Sequence, residues 1–256
     1  MHKIRLKRTQ ILNKYTAHFA FRFAVVITFL SLYLFRRELL SDIINFTLWQ
    51  KVTPLHLVWG GFMVIMISHL FPSREHISMA LKKISGKHFP KHTSMETLTP
   101  EQRLEMLEFT QKANVKAWVV MLVWLLFNCA IGILYLLGVL QDIDLLMLTV
   151  FYFLSDYICI LFFCPFQTII MKNKCCVNCR IFDWGHFMLL TPMMFIKSFF
   201  SWSLFATALV VLIKWEIVYA NHPERFWPET NTHLKCSNCK DQLCHYKKLL
   251  RKPKQS

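Results

Sequence analysis

Long apolar runs separated by short basic segments set the pattern of this chain. Runs at 17–35, 54–71, 115–140, 143–171 and 198–219 each approach the roughly 20 apolar residues that a helix needs to cross a bilayer. A sixth apolar stretch, 181–196, is broken by Asp183 and by Thr191-Pro192 and ends at Lys197. If the chain crossed only once after residue 180, the tail would lie outside. That tail carries Lys235, Lys240, Lys247, Lys248, Arg251, Lys252 and Lys254, which the positive-inside rule disfavours there. A short or re-entrant element at 181–196 restores an even count and returns the tail to the cytoplasm. The expected fold is all-α: a polytopic integral membrane helix bundle of five or six membrane segments over 1–219. A basic, Cys-rich tail over 220–256 completes it, with a small Cys-rich cytoplasmic metal site.

Polar residues punctuate the runs in interpretable ways. Lys3, Arg5, Lys7, Arg8 and Lys14 precede the first run, which is too long for a signal peptide, so the N-terminus is expected in the cytoplasm. Arg22, early in that run, is expected to snorkel to the interface. Residues 36–53 read as a short interfacial helix, and Gly60-Gly61 as a place for close helix approach. Thr99-Pro100-Glu101-Gln102 predicts a helix start, with a capping hydroxyl, Pro at the first position and an acid in the first turn. The tiny acidic turn Gln141-Asp142-Ile143-Asp144 predicts an outer connection between two antiparallel neighbours. Pro165 predicts a kink in the long run that follows.

Composition sharpens this picture. Hydrophobic residues make up 55% of the 256, and the net charge is +15. The cations lie between the apolar runs, which points to the lipid bilayer and its anionic head groups as partners rather than to nucleic acid. The expected location is the cell membrane, multi-pass, of the bacterial inner-membrane kind. No particular protein partner is implied.

Six of the nine cysteines lie in polar segments. Cys175, Cys176 and Cys179 form one cluster; Cys236, Cys239 and Cys244-His245 form the other. Each holds a C-x-x-C turn, which brings two thiolates onto one ion at about 2.3 Å each, and two such turns complete a tetrahedron. The 56 residues between Cys179 and Cys236 fit a membrane excursion that returns to the same face. Lys and Arg beside the cysteines favour thiolates. Zinc suits this closed ligand set best; an iron–sulfur cluster also takes four Cys, although the spacing is no ferredoxin run, and copper(I) accepts thiolate and thioether. Separate redox pairs or disulfides are the bland alternative. Cys129, Cys159 and Cys164 lie in apolar runs and read as small core residues.

Two further constellations stand out. Asn128 and Asp156 lie at similar depth on either side of the outer turn. They read either as an ion or proton site or as hydrogen-bonded helix glue. Asp183-Trp184-Gly185-His186 and Lys214-Trp215-Glu216 read as interfacial anchors; the sharper alternative has Asp183, His186 and Glu216 lining a cytoplasmic mouth beside the metal. His56 and His69 point apart on one helix and share no ligand. No hydrolase, nucleotide-binding or metalloprotease motif is present. The sequence thus reads as a non-enzymatic membrane protein whose thiolate site joins the 172–180 loop to the tail and senses metal or redox state. A membrane redox protein, and a small proton- or ion-coupled transporter using Asp156, are the alternatives.

Overall fold

The computed structural model describes residues 2–45, 54–71, 98–173, 178–235 and 237. Among them there are helices and turns but no strand. The α-helices are α1 (His2–Phe35), α2 (Arg37–Asn45), α3 (Pro54–Leu70), α4 (Pro100–Leu136), α5 (Asp142–Leu161), α6 (Gly185–Leu190) and α7 (Phe199–Asn221). Four stretches are long and apolar enough to cross a membrane: Tyr15–Phe35 within α1, and α4, α5 and α7. The 17 residues of α3 are apolar but short; at 1.5 Å per residue they reach about 26 Å.

Local chemistry explains the boundaries. Thr99 caps α4 through a capping box: Gln102 N–H donates to Thr99 Oγ1 (3.3 Å) and Thr99 N–H to Gln102 Oε1 (3.2 Å). Pro100 occupies the first position, where its missing N–H costs nothing. At the other end of α4, Gly138 adopts φ +75°, a left-handed conformation that side chains resist. The chain then turns directly into α5, which Gln141 and Asp144 open with a reciprocal box. The expected continuous span to residue 171 is not formed. Helix α5 stops at Leu161, and the chain resumes as a π-helical turn at Phe166–Ile170. Pro165 lacks an N–H to donate and disfavours helical φ/ψ at Cys164, so it breaks the run rather than kinking it.

Contacts order the bundle along its length. One end, the turn end, gathers Tyr33, Arg37, Gln141 and Asp144: Tyr33 Oη donates to Asp144 (2.8 Å) and Arg37 to Gln141 (3.1 Å). The opposite, loop end gathers Thr110, Asn114, Arg180, Glu216 and Tyr219; Tyr219 Oη donates to the Thr110 carbonyl (2.8 Å). Helices α1 and α5 lie antiparallel, with Phe19 against Phe162 (5.5 Å between rings) and Tyr33 against Asp144. Helices α3 and α7 lie parallel: Trp59 Nε1 donates to Ser203 (2.9 Å), and Lys214 Nζ lies 5.9 Å from the Phe71 ring.

Segment 181–196 decides the topology. It folds as a 3-10 turn (Phe182–Trp184), α6 and a second 3-10 turn (Thr191–Phe195). Trp184 packs on Trp118 of α4 (6.1 Å) at one end, and Phe195 on Tyr135 (6.4 Å) at the other. The 17 helical residues between those two partners span about 25 Å, so this broken segment runs the length of the bundle. Helix α7 then returns to the loop end. Gly132 of α4 makes room for the end of the broken segment: a Cβ there would lie 2.3 Å from Phe195 Cζ. Gly60 and Gly61, expected at a close helix approach, have no heavy atom within 4 Å of where a Cβ would sit.

Candidate functional site

The loop end is built around one buried cation. Arg180 follows Cys179 directly and is 4% exposed. Its Nη2 donates to Glu216 Oε2 on α7 and to Asn114 Oδ1 on α4 (3.3 Å). Its guanidinium lies 3.7 Å from the Tyr219 ring centroid, within the range of a cation–π contact. Glu216 also accepts from Trp184 Nε1 (2.8 Å), and Trp215 Nε1 donates to the Arg180 carbonyl (3.3 Å). A buried charge persists only when paired and hydrogen-bonded. Arg180 therefore holds the loop, α4 and α7 in one arrangement.

Around this knot the loop meets the tail. Asn178 Nδ2 donates to the Leu234 carbonyl (2.5 Å), and Asn173 Nδ2 donates to the Asn178 carbonyl (3.2 Å). Gln167 Nε2 in turn holds the Asn173 carbonyl (2.8 Å). The tail reaches this place through a packed turn: Phe226 lies 4.4 Å from the Tyr219 ring and 5.3 Å from that of Trp215. Trp227 is buried, Thr230 bonds to the Glu224 carbonyl, and Asn231 Nδ2 donates to the Arg225 carbonyl (2.8 Å).

Of the expected metal ligands, Cys179 alone lies within the described residues. It is buried among Ile181, Trp184 and Trp215. Cys175, Cys176, Cys236, Cys239, Cys244 and His245 lie outside the described residues. Among the described residues no group of three metal-ligating side chains converges. Arg180, expected to favour thiolates beside it, is committed to Glu216. Cys129, expected in the core, faces outward from α4.

The expected intramembrane pair does not meet. Asn128 is 2% exposed; its Nδ2 donates to the Trp124 carbonyl (3.0 Å) and its Oδ1 accepts from Tyr152 (3.5 Å). Asp156 instead takes Arg22, whose Nη1 lies 2.9 Å from Oδ2 and 2.6 Å from the Phe153 carbonyl. The guanidinium sits 4.0 Å and 4.1 Å from the Phe153 and Tyr157 rings. Arg22 is thus a helix-to-helix tie, not a snorkelling residue. An arginine inside an apolar run was the signal that could have marked it.

Asp183, His186 and Glu216 have separate surroundings. Glu216 belongs to the Arg180 knot. His186 packs on His69 of α3 (4.8 Å between rings), and Asp183 is buried in the 3-10 turn. Trp184 and Trp215, read as interfacial anchors, are 0% and 4% exposed. Their indole N–H groups find partners inside the bundle, which permits full burial.

No protein-family model matches this chain, and no curated protein or solved structure matches it either.

Proposed function

We propose that this chain is a multi-pass membrane protein whose cytoplasmic end carries a zinc-type thiolate site joining the 172–180 loop to the tail. The hydrogen bond from Asn178 to Leu234 carries this proposal. Asn178 lies between Cys176 and Cys179, and Leu234 lies two residues before Cys236. Two residues of chain reach at most about 7 Å, so the second C-x-x-C begins within that reach of a carbonyl bonded from inside the first. The run of 181–196 along the bundle, followed by the return of α7, supports the even count that the same-face site requires. Orientation follows from charge: Lys112, Lys116, Lys172, Arg180, Arg225 and Lys235 at the loop end outnumber Arg36, Arg37 and Lys197 at the turn end. In a reducing cytoplasm, clustered thiols hold metal rather than disulfides.

The site would staple the tail and respond to metal supply or oxidation, since both act on the same thiolates. Transport through Asp156 is the weaker alternative, because Arg22 already neutralises that carboxylate. Metal analysis of protein purified anaerobically under reducing conditions tests the proposal. About one zinc per chain is expected, lost when Cys176 and Cys236 are both replaced by Ser. A brown protein absorbing near 400 nm would move the assignment to an iron–sulfur cluster. Metal-free protein, or external labelling of Cys236 in intact cells, would overturn it.

A further inference from the structure

We infer that the turn end holds a phospholipid, with its phosphate at Lys197 and an acyl chain along Phe199 and Trp202. This rests on the membrane reading above and is independent of the thiolate site. An open cavity of about 640 Å³ lies here, lined by Lys197, Ser198, Phe199, Trp202 and Ser203. Its wall is apolar and faces outward: Phe199 and Trp202, three residues apart on one face of α7, are each 60% exposed. Trp59 of α3 backs this wall, its ring 6.0 Å from that of Phe199.

Charge and depth select the occupant. Lys197 is exposed and forms no ion pair among the described residues. It stands immediately before α7, whose 23 residues span about 34 Å. A hydrocarbon core is about 30 Å thick, so a residue preceding such a helix lies at head-group depth, where lipid phosphates are. The Ser198 side chain does not cap α7, so the first-turn N–H groups add partial positive charge on the same side as the ammonium. A cation at phosphate level above an outward apolar wall complements a phosphodiester carrying acyl chains. A soluble anion would leave Phe199 and Trp202 unused, and a neutral lipid would leave Lys197 unused.

Native mass spectrometry of the full chain, extracted from membranes and titrated with phosphatidylglycerol or with diacylglycerol, tests this. The wild type should retain one phosphatidylglycerol. Lys197→Ala should weaken that retention about tenfold, the loss expected for one charge-assisted contact, and Lys197→Arg should preserve it. A photoactivatable phospholipid should crosslink to the peptide holding 197–203. The inference is overturned if Lys197→Ala retains lipid like the wild type, if diacylglycerol binds as well as phosphatidylglycerol, or if the crosslink maps elsewhere. Failure of the membrane reading would show separately, as release of the chain from membranes by alkaline carbonate.

Discussion

Two of the arginine–carboxylate pairs among the described residues, Arg22–Asp156 and Arg180–Glu216, differ in what surrounds them. Arg22 ties α1 to α5 through Asp156, with the two side chains 20% and 42% exposed. Arg180 pairs with Glu216 at 2% and 24%, and adds Asn114, the Tyr219 face and, through Glu216, Trp184. The first pair joins two neighbouring helices that also pack along their length. The second joins a loop, α4 and α7, which also share a buried apolar cluster that includes Ala117, Ile181 and Trp215. An ion pair of the first kind docks one helix on its neighbour, whereas one of the second kind sits where three segments converge, so that its loss reaches all three.

Breaking the pairs should expose this difference. Glu216→Ala should cost about 3–5 kcal/mol, since it strands a buried guanidinium that cannot deprotonate. Chemical unfolding in detergent measures this, and metal retention should fall with it. A loss below about 1 kcal/mol would reduce the Arg180 knot to an ordinary surface pair. Arg22→Ala should cost less, about 1–2 kcal/mol, because the stranded Asp156 can take up a proton; an equal loss at both sites would erase the contrast. Asn178→Ala should cost about 1 kcal/mol and speed tryptic cleavage of the tail, which isolates the loop–tail contact from the knot beneath it. Unchanged cleavage would mean that Arg180 alone positions the loop. The smallest effect is expected at Lys172, which leads into the Cys loop with φ 50°. Lys172→Gly should stabilise by about 0.5 kcal/mol, read as a small rise in unfolding midpoint.

Several local features were legible in the sequence because their causes are local. The capping box at Thr99, the direct turn between α4 and α5, and the helices at each long apolar run follow from neighbours within four positions. The break at Pro165 was misread as a kink: proline's effect is local, but whether a helix resumes depends on what packs beyond it. Trp184 and Trp215 were misread as anchors for a related reason. Hydropathy places an indole near a boundary but does not say whether lipid or another helix covers it.

Partners were the larger gap. Asn128 and Asp156 match in depth, yet depth says nothing of azimuth, and Asp156 turns to α1 rather than α4. Arg180 and Glu216 lie 36 positions apart, with no periodicity to link them. The candidate metal cysteines were found by spacing alone, and their tether appeared only as the contact from Asn178 to Leu234.

The amino-acid sequence by itself determined that this chain is helical, rich in segments of membrane-crossing length, basic between them and provided with two C-x-x-C turns. Those properties are sums over short windows. Tertiary structure decided that the broken stretch 181–196 runs the length of the bundle and brings the tail back beside the loop. Among the contacts that accompany that outcome are a ring packed against Gly132 and one arginine buried between helices. Both are contacts between distant residues, formed only once the helices have met.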